Sequence, residues 1–357
     1  MRSEAKTILL TGGSGVVGQA LLERLTDVNV IGLTHRTPIE APNVEMLIGD
    51  ISKPQLGLST DQFEDLCRRV DYVVHSAATT SFADSKAATY RTNVEGTRNI
   101  LEVADRAGVP FCHISTAFAH LQQFDGTHLS NFYEASKLES EEVVQQSGVP
   151  YVILRPSVVI GDSNDGHMSR FQGFHFLSEL MFRGVLPVWV PTKPTAYMDF
   201  IPQDLISEVV SALVERPEIR GEYWLTSGPR AMQVEQAVTL WEQHIPRLTG
   251  RGIKRPRYVD PDVIDRLIKP VFLPSLPARS REMVGQALEL LSFSVKNPLP
   301  TSMPELESLL NIPRSPDPEL VAIRNAEFWA RKRGFDQAVR RDNRELGNQL
   351  DWNPAAQ

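Results

Sequence analysis

Thr11-Gly12-Gly13-Ser14-Gly15-Val16-Val17-Gly18 lies between an apolar strand-like run, Thr7 to Leu10, and an amphipathic helical stretch, Gly15 to Leu25. No other feature of the chain narrows its fold as far. A glycine at 12 permits a tight turn, one at 15 lets the backbone approach a pyrophosphate, and one at 18 allows a helix to pack closely on the preceding strand. The start of that helix then presents unpaired N–H groups and a positive dipole end to phosphates. Because the triplet occupies the first strand-to-helix turn of a chain that continues in the same alternation, it predicts dinucleotide binding.

From Lys6 to about Arg155, short Val/Ile-rich runs alternate with longer amphipathic segments. The strand candidates are Thr7 to Leu10, Val28 to Leu33, Val44 to Ile48, Tyr72 to His75, Phe111 to Ile114 and Tyr151 to Leu154. Helix candidates are Gly15 to Leu25, Gln62 to Val70, Tyr90 to Ala107 and Phe132 to Gln146, with Gly108 placed to stop the third. The fold class expected is α/β: a doubly wound parallel sheet of the Rossmann type, with a smaller substrate-binding region and a mainly helical C-terminal extension. Three regions are expected: a dinucleotide-binding core over 1–160, a substrate region over 161–250 interleaved with the core, and a proline-rich extension over 251–357 that holds 12 of the 25 prolines. In the second, Phe171 to Arg183 reads as a helix, and Phe171, Phe174, Phe176, Met181, Phe182 and Trp189 read as core or as an acyl channel. In the third, Pro261 opens one helix and Pro318 to Gly334 forms a longer one. There Val263, Ile264, Leu267, Ile268, Val271 and Phe272 recur at helical spacing, interrupted by Pro270, and read as packed on the substrate region or as a patch that caps the substrate pocket, docks a partner or touches a membrane surface. If the extension is only a lid, removing 251–357 leaves a folded cofactor binder.

Which dinucleotide is decided at the end of the second strand. An acid there would take the ribose hydroxyls of NAD; the chain reads Leu33-Thr34-His35-Arg36, and an arginine can pair with a 2′-phosphate. His35 and Arg36 therefore favour NADPH over NAD. Gly49-Asp50 after the third strand puts Asp50, followed by Ile51, near the adenine or in a loop cap.

Tyr133-Glu134-Ala135-Ser136-Lys137 opens a helical segment, and its four-residue spacing puts the phenol and the ammonium on one face. A lysine cation there favours phenolate and would lower the tyrosine pKa. Ser115-Thr116 follows the fifth strand at the carboxyl edge of the sheet, where such folds bind ligands. Taken in order, TGGSGVVG, HSAA (75–78), NVEGT (93–97), IST (114–116), YEASK and RPSVV (155–159) resemble the extended short-chain dehydrogenase/reductases. Within that family HSAATTSF, ISTAFAH and LRPSVVIGDSNDG are closest to the thioester reductase and fatty acyl reductase, or male sterility-like, branch.

This resemblance implies Tyr133 as proton donor and Lys137 as the residue that holds the nicotinamide ribose. It implies that Thr116, with Ser115, bonds the reacting carbonyl oxygen, and that Asn93 anchors the helix or a relay water. The cofactor would be lined by Gly12, Ser14, Gly15, Val16, Val17, Gly18, Ile51, Ser76, Ala77, Ala78, Lys137, Pro156, Ser157 and Val158. The function implied is NADPH-dependent reduction of an acyl thioester, on coenzyme A or on a carrier protein supplied in trans, to an aldehyde or onward to an alcohol. A ketone or aldehyde reductase, a sugar-nucleotide epimerase and a non-catalytic NADP(H) sensor stay as alternatives. Ala117-Phe118 leaves no acid beside Thr116 for dehydratase chemistry.

Composition narrows the partners. With 37 Lys+Arg against 44 Asp+Glu the formal charge is −7, and residues 1–250 carry 20 basic and 30 acidic side chains, which argues against nucleic acid. No run approaches the apolar length of a transmembrane helix, and MRSEAKTILL enters the first strand without a signal-peptide core, so the expected location is cytoplasmic. Cys67 and Cys112 are expected to be reduced and buried, no metal-ligand cluster is evident, and a homodimer is left open.

Overall fold

The computed structural model describes residues 5–39, 41–80, 84–121, 131–170, 192–250 and 293–334, with isolated positions among 175–190 and 252–288. They divide into two compact units. The first comprises residues 1–159, 199–231 and 297–315, and the second 160–198, 232–296 and 316–357.

In the first unit seven strands form one sheet: β1 (Thr7–Thr11), β2 (Asn29–Thr34), β3 (Val44–Ile48), β4 (Tyr72–His75), β5 (Phe111–Ile114), β6 (Tyr151–Pro156) and β7 (Gly221–Leu225). Their spatial order is β7-β6-β5-β4-β1-β2-β3, and every neighbouring pair is parallel. The order reverses between β1 and β4, which defines the crevice where doubly wound sheets bind nucleotides. This is the expected α/β class. Side chains alternate across the strands. Ile8, Leu10, Val30, Val74, Cys112 and Leu154 face α1 (Val16–Arg24) and α6 (Gln203–Glu215) on one side. Leu9, Ile31, Val73, Phe111 and Ile153 face α2 (Thr60–Arg69), α4 (Gly96–Ala107) and α5 (Phe132–Gln146) on the other.

The stretch from Tyr90 to Ala107 departs from one continuous helix. α3 (Lys86–Tyr90) runs into a π-helical turn, Arg91–Glu95, before α4 begins, and Gly108 ends α4 in a left-handed conformation (φ 67°). The extra residue per turn turns Asn93 inward, where it is buried. α8 (Met303–Leu310) completes this unit, and Met303, Leu306, Leu310 and Ile312 join the α1/α6 side of the core.

The second unit contains a two-stranded antiparallel pair, Tyr197–Met198 with Met232–Gln233, then α7 (Val234–Thr249) and α9 (Pro318–Lys332). α7 and α9 pack together, and Trp329 is fully buried. Asn325 of α9 ties down the turn after Ile160, accepting from Gly161 N. Gly166 fits there with φ 76° because a Cβ would fall 2.3 Å from the Arg324 carbonyl oxygen.

The helix expected over Phe171 to Arg183, its aromatic set including the Trp189 side chain, and Pro261, Ile264, Leu267, Ile268 and Phe272 lie outside the described residues. Val263 and Val271 are exposed. Cys112 is buried, whereas Cys67 is only half-buried. None of the described helices is long and apolar enough to cross a membrane.

Candidate active site

The glycine turn is built as the spacing predicts. Gly12 has φ 75°, and a Cβ on it would sit 2.6 Å from Ala77 N and 2.7 Å from the Ser76 carbonyl carbon. Only glycine lets the β1 turn lie against the Ser76–Ala78 segment. A Cβ on Gly18 would lie 2.1 Å from Gly12 O, so helix and turn touch backbone to backbone there. A Cβ on Gly15, by contrast, would meet just the Gly12 carbonyl oxygen at 3.2 Å. Gly15 is the N-cap of α1, no side chain caps that helix, and its first turn holds no acid. Open space over glycine backbone at an uncapped helix start fits the phosphates of a dinucleotide. Ser14 lies in the same turn, and Val16 and Val17 open α1.

Thr11 fixes the neighbouring strand end. Its Oγ1 lies 2.7 Å from His75 Nδ1 and accepts from Ala77 N at 3.2 Å, and His75 Nε2 lies 3.1 Å from Thr97 Oγ1. Burial holds His75 neutral, its pKa pushed down to about 3 with the Lys137 charge acting the same way. At the end of β2, His35 and Arg36 are both exposed, and Arg36 makes no ion pair to a described residue. Asp50 caps its own loop, its Oδ1 accepting from Ser52 N (3.0 Å) and Ser52 Oγ (2.7 Å). Ile51 packs on Gly96 and accepts from Asn99 Nδ2 at 2.6 Å.

The acid/base residues converge at the carboxyl end of β5. Thr116, buried, caps the short turn Ala117–His120. α5 begins at Phe132 because the Asn131 side chain accepts from Glu134 N at 2.9 Å. That start brings the Tyr133 phenol into a side-chain hydrogen bond with Thr116. Burial pushes the Tyr133 phenol up to about 12; the Thr116 hydrogen bond opposes that rise and Glu134 adds to it. The lowering expected from Lys137 does not appear: the lysine is engaged elsewhere. Its Nζ donates to Ile114 O at 2.7 Å and lies 3.3 Å from His113 Nε2. Burial depresses the Lys137 ammonium to about 8, against the Glu141 charge, which raises it.

Asn93 is fully used as a clamp. Its Oδ1 accepts from Thr79 N (2.8 Å), and its Nδ2 donates to Thr79 O (3.0 Å) and to Ser136 Oγ (2.9 Å). It thus ties the loop after β4 to the helix that carries Tyr133. Ser115 is not paired with Thr116 at the edge: its hydroxyl donates to Glu141 Oε1. Past β6, Ser157 N donates to Leu225 O (3.0 Å) and Val158 N to Asp199 O (3.3 Å), which holds the Pro156–Val158 segment. Asp199 itself accepts from Ser227 N and Gly228 N, while burial pushes its carboxyl up to about 6.

Sequence reasoning passed over Glu141, Arg155 as a charge, Thr11 and Asp199. The available signals were a lone arginine inside the apolar run Tyr151–Pro156, which demands a buried partner, and an acid one helical turn after Lys137.

The male sterility protein family matches residues 29–210, more than half of the chain. A hybrid PKS-NRPS synthetase, poxE of Penicillium oxalicum, is 30% identical over 246 residues, which is 60% of this chain and 6% of that protein. The chain therefore spans a small fraction of the curated relatives it matches. The terminal R domain of the myxalamid PKS-NRPS pathway superposes with a TM-score of 0.73 at 24% identity, covering 95% of this chain and 93% of that one. The thiolation-reductase di-domain of an archaeal non-ribosomal peptide synthetase gives 0.68 at 17% identity, over 93% and 76%. The fold, its glycine turn and the matched family agree: the chain belongs to the male sterility protein family, an NAD(P)-dependent oxidoreductase branch of the extended short-chain dehydrogenase/reductases.

Proposed function

We propose that the protein reduces an acyl thioester, on coenzyme A or on a carrier protein, to an aldehyde with NADPH as the hydride donor. The observation that carries this reading is the Thr116–Tyr133 hydrogen bond at the carboxyl edge of the sheet, one helical turn from Lys137. Two hydroxyls there can meet a carbonyl oxygen as it gains charge, and one of them can give up a proton. The relatives named for PKS-NRPS synthetases and for reductase domains support a thioester over a free ketone. A thiolation-reductase di-domain among the similar structures supports a carrier as the second partner.

NADPH, seated on Gly12, Gly15 and the start of α1, would supply the hydride. At the acyl carbon the residues act as follows. Thr116 and the Tyr133 phenol hold the carbonyl oxygen, and the phenol protonates it as it becomes an alkoxide. The resulting hemithioacetal then breaks its C–S bond, yielding aldehyde and thiol. With the cofactor bound, Lys137 would hold the nicotinamide ribose and bring its positive charge to that side of the site. Pro156–Val158 and Ser76–Ala78 would frame the cofactor, and Asn93 fixes the helix through Ser136.

The deciding experiment is NADPH oxidation by the purified chain with a panel of acyl thioesters beside the matching ketones and aldehydes. Thioester-dependent oxidation with aldehyde formed in equal amount supports the reading; turnover of preformed ketones or aldehydes alone sinks it.

Two further expectations arise here. Arg36→Ala is expected to raise the Kd for NADPH about 10- to 100-fold while leaving NADH within about twofold, because a charged hydrogen bond contributes roughly 1.5 to 3 kcal/mol; fluorescence titration of bound cofactor checks it. The second concerns pH. The Tyr133 phenol, held near 12, stays protonated across the working range, whereas Lys137, held near 8, loses its charge above that pH. Reduction rates should accordingly fall on the alkaline side from about pH 8, and a limb first appearing near 10 would remove Lys137 from the step.

A further inference from the structure

The buried carboxylate of Glu141 gathers more bonds than the chemistry above uses. Its Oε1 accepts from Ser115 Oγ, and its Oε2 accepts from His120 Nε2 (2.8 Å), Arg155 Nε (2.9 Å) and Arg155 Nη2 (2.6 Å). Arg155 continues to Glu222 on β7, and its guanidinium lies 5.2 Å from the Trp224 ring centroid. Four elements thus meet on one side chain: the end of β5, the turn after it, β6 and α5.

Stability alone is a poor reason for such a cluster, since a buried ion pair is commonly no better than an apolar packing of the same volume. Position is a better one. Ser115 immediately precedes Thr116, and Lys137 lies one helical turn before Glu141 on α5. Lys137 is faced from β5 by His113 (3.3 Å), from β4 by His75 and from its own helix by Glu141. Burial holds both histidines neutral, so among these groups Glu141 carries the negative charge. Glu141 in turn is faced by His120, by Arg155 from β6 and, behind the arginine, by Glu222 from β7.

We propose that Glu141 is a positioning residue for the hydride-transfer site: it clamps Ser115, and hence Thr116, to the helix bearing Tyr133, and it is the counter-charge that keeps Lys137 an ammonium. This rests on the reading above for what Lys137 does in the reaction. Its electrostatic content does not depend on any substrate. The charge of Glu141 raises Lys137 against the burial that depresses it. Removing that charge should let Lys137 fall further.

The test follows the titration of Lys137 in ligand-free protein carrying lysine labelled with ¹³C at Cε. With nine lysines in the chain, the Lys137 signal is identified by its loss in Lys137→Met. Lys137 is expected to titrate about one pH unit lower in Glu141→Gln than in the unaltered protein. Glu141→Asp, one methylene shorter but still charged, should keep the titration near the original value. If Glu141→Gln alone does not fold, Glu141→Gln with Arg155→Met removes both members of the ion pair, a change buried pairs tolerate far better; the same downward shift is expected. A Lys137 midpoint unmoved in either folded charge-removing variant overturns the proposal, as does an equal fall in Glu141→Asp. Because the titration needs neither substrate nor cofactor, failure of thioester turnover would leave its outcome intact.

Discussion

Tyr133→Phe is expected to lower kcat for thioester-dependent NADPH oxidation by about 10³-fold, within the roughly 10² to 10⁴ that a positioned general acid contributes. The Kd for NADPH should stay within about twofold. Only the phenol oxygen and its proton are removed. Phenylalanine keeps the ring in the first turn of α5, where the Asn131 cap and the Ser136–Asn93 bond still hold the helix. What disappears is the proton and the hydrogen bond to Thr116. Because the phenol is held near 12, it is a protonated donor throughout the pH range of the assay, and its loss cannot be made good by changing pH. Thr116 would still contact the substrate oxygen, so residual turnover should remain and should show the same alkaline limb near pH 8 set by Lys137. Rapid-mixing measurement of NADPH consumption, with cofactor binding determined separately, checks both halves. A fall of less than tenfold would assign the proton to another group.

Much of this arrangement is legible in the sequence. β3, β4, β5 and α5 begin and end at the residues that pattern alone indicates: β4 and β5 are buried parallel strands, which read as short apolar runs, β3 is an outer strand of the sheet with no buried residue, and α5 has Asn131 as its cap. The turn Gly12–Gly18 is equally legible, since Gly12 and Gly18 answer steric demands of the backbone itself. Local pattern does not carry the π-helical turn at Arg91–Glu95: its sequence has ordinary helical propensities, and what widens the helix is Asn93 reaching Thr79 and Ser136 from elsewhere in the chain. The same holds for electrostatics. Spacing puts Tyr133 and Lys137 on one face, but their protonation depends on burial and on Ile114 O, His113, Thr116 and Glu141, groups brought from β5, its following turn and the next turn of α5. Ser115 shows the limit most sharply. Its place beside Thr116 suggests a hydroxyl pair, yet a carboxylate 26 residues away claims its hydrogen.

Truncating the chain after Lys296 is expected to abolish soluble, folded protein, where removal of a mere lid would leave a cofactor binder. Residues 297–315 belong to the same compact unit as the glycine turn. Met303, Leu306, Leu310 and Ile312 are buried among side chains of α1, α6 and β7. Each such side chain contributes roughly 1.5 to 3 kcal/mol on burial, so the four together approach the whole of a typical domain's ~5 to 15 kcal/mol, even allowing that such sums are upper estimates. The segment also covers β7, the outer strand of the sheet. Ser302 N donates to Trp224 O (2.9 Å), Trp224 N to Ser302 Oγ (3.0 Å), and Thr301 Oγ1 to Thr226 O (2.9 Å). Stripping it would expose a strand edge and an apolar face together, the combination that drives aggregation. Restoring residues up to Gly334 should recover solubility, since α8 returns to its core and α9 brings back Asn325 on Gly161 and the buried Trp329. Expression of the two truncations side by side, read by soluble yield and cooperative thermal unfolding, decides the matter. A soluble, cooperatively folding chain ending at Lys296 would mean that the sheet and its flanking helices hold together without α8, and that the tail is a later addition to a self-sufficient core.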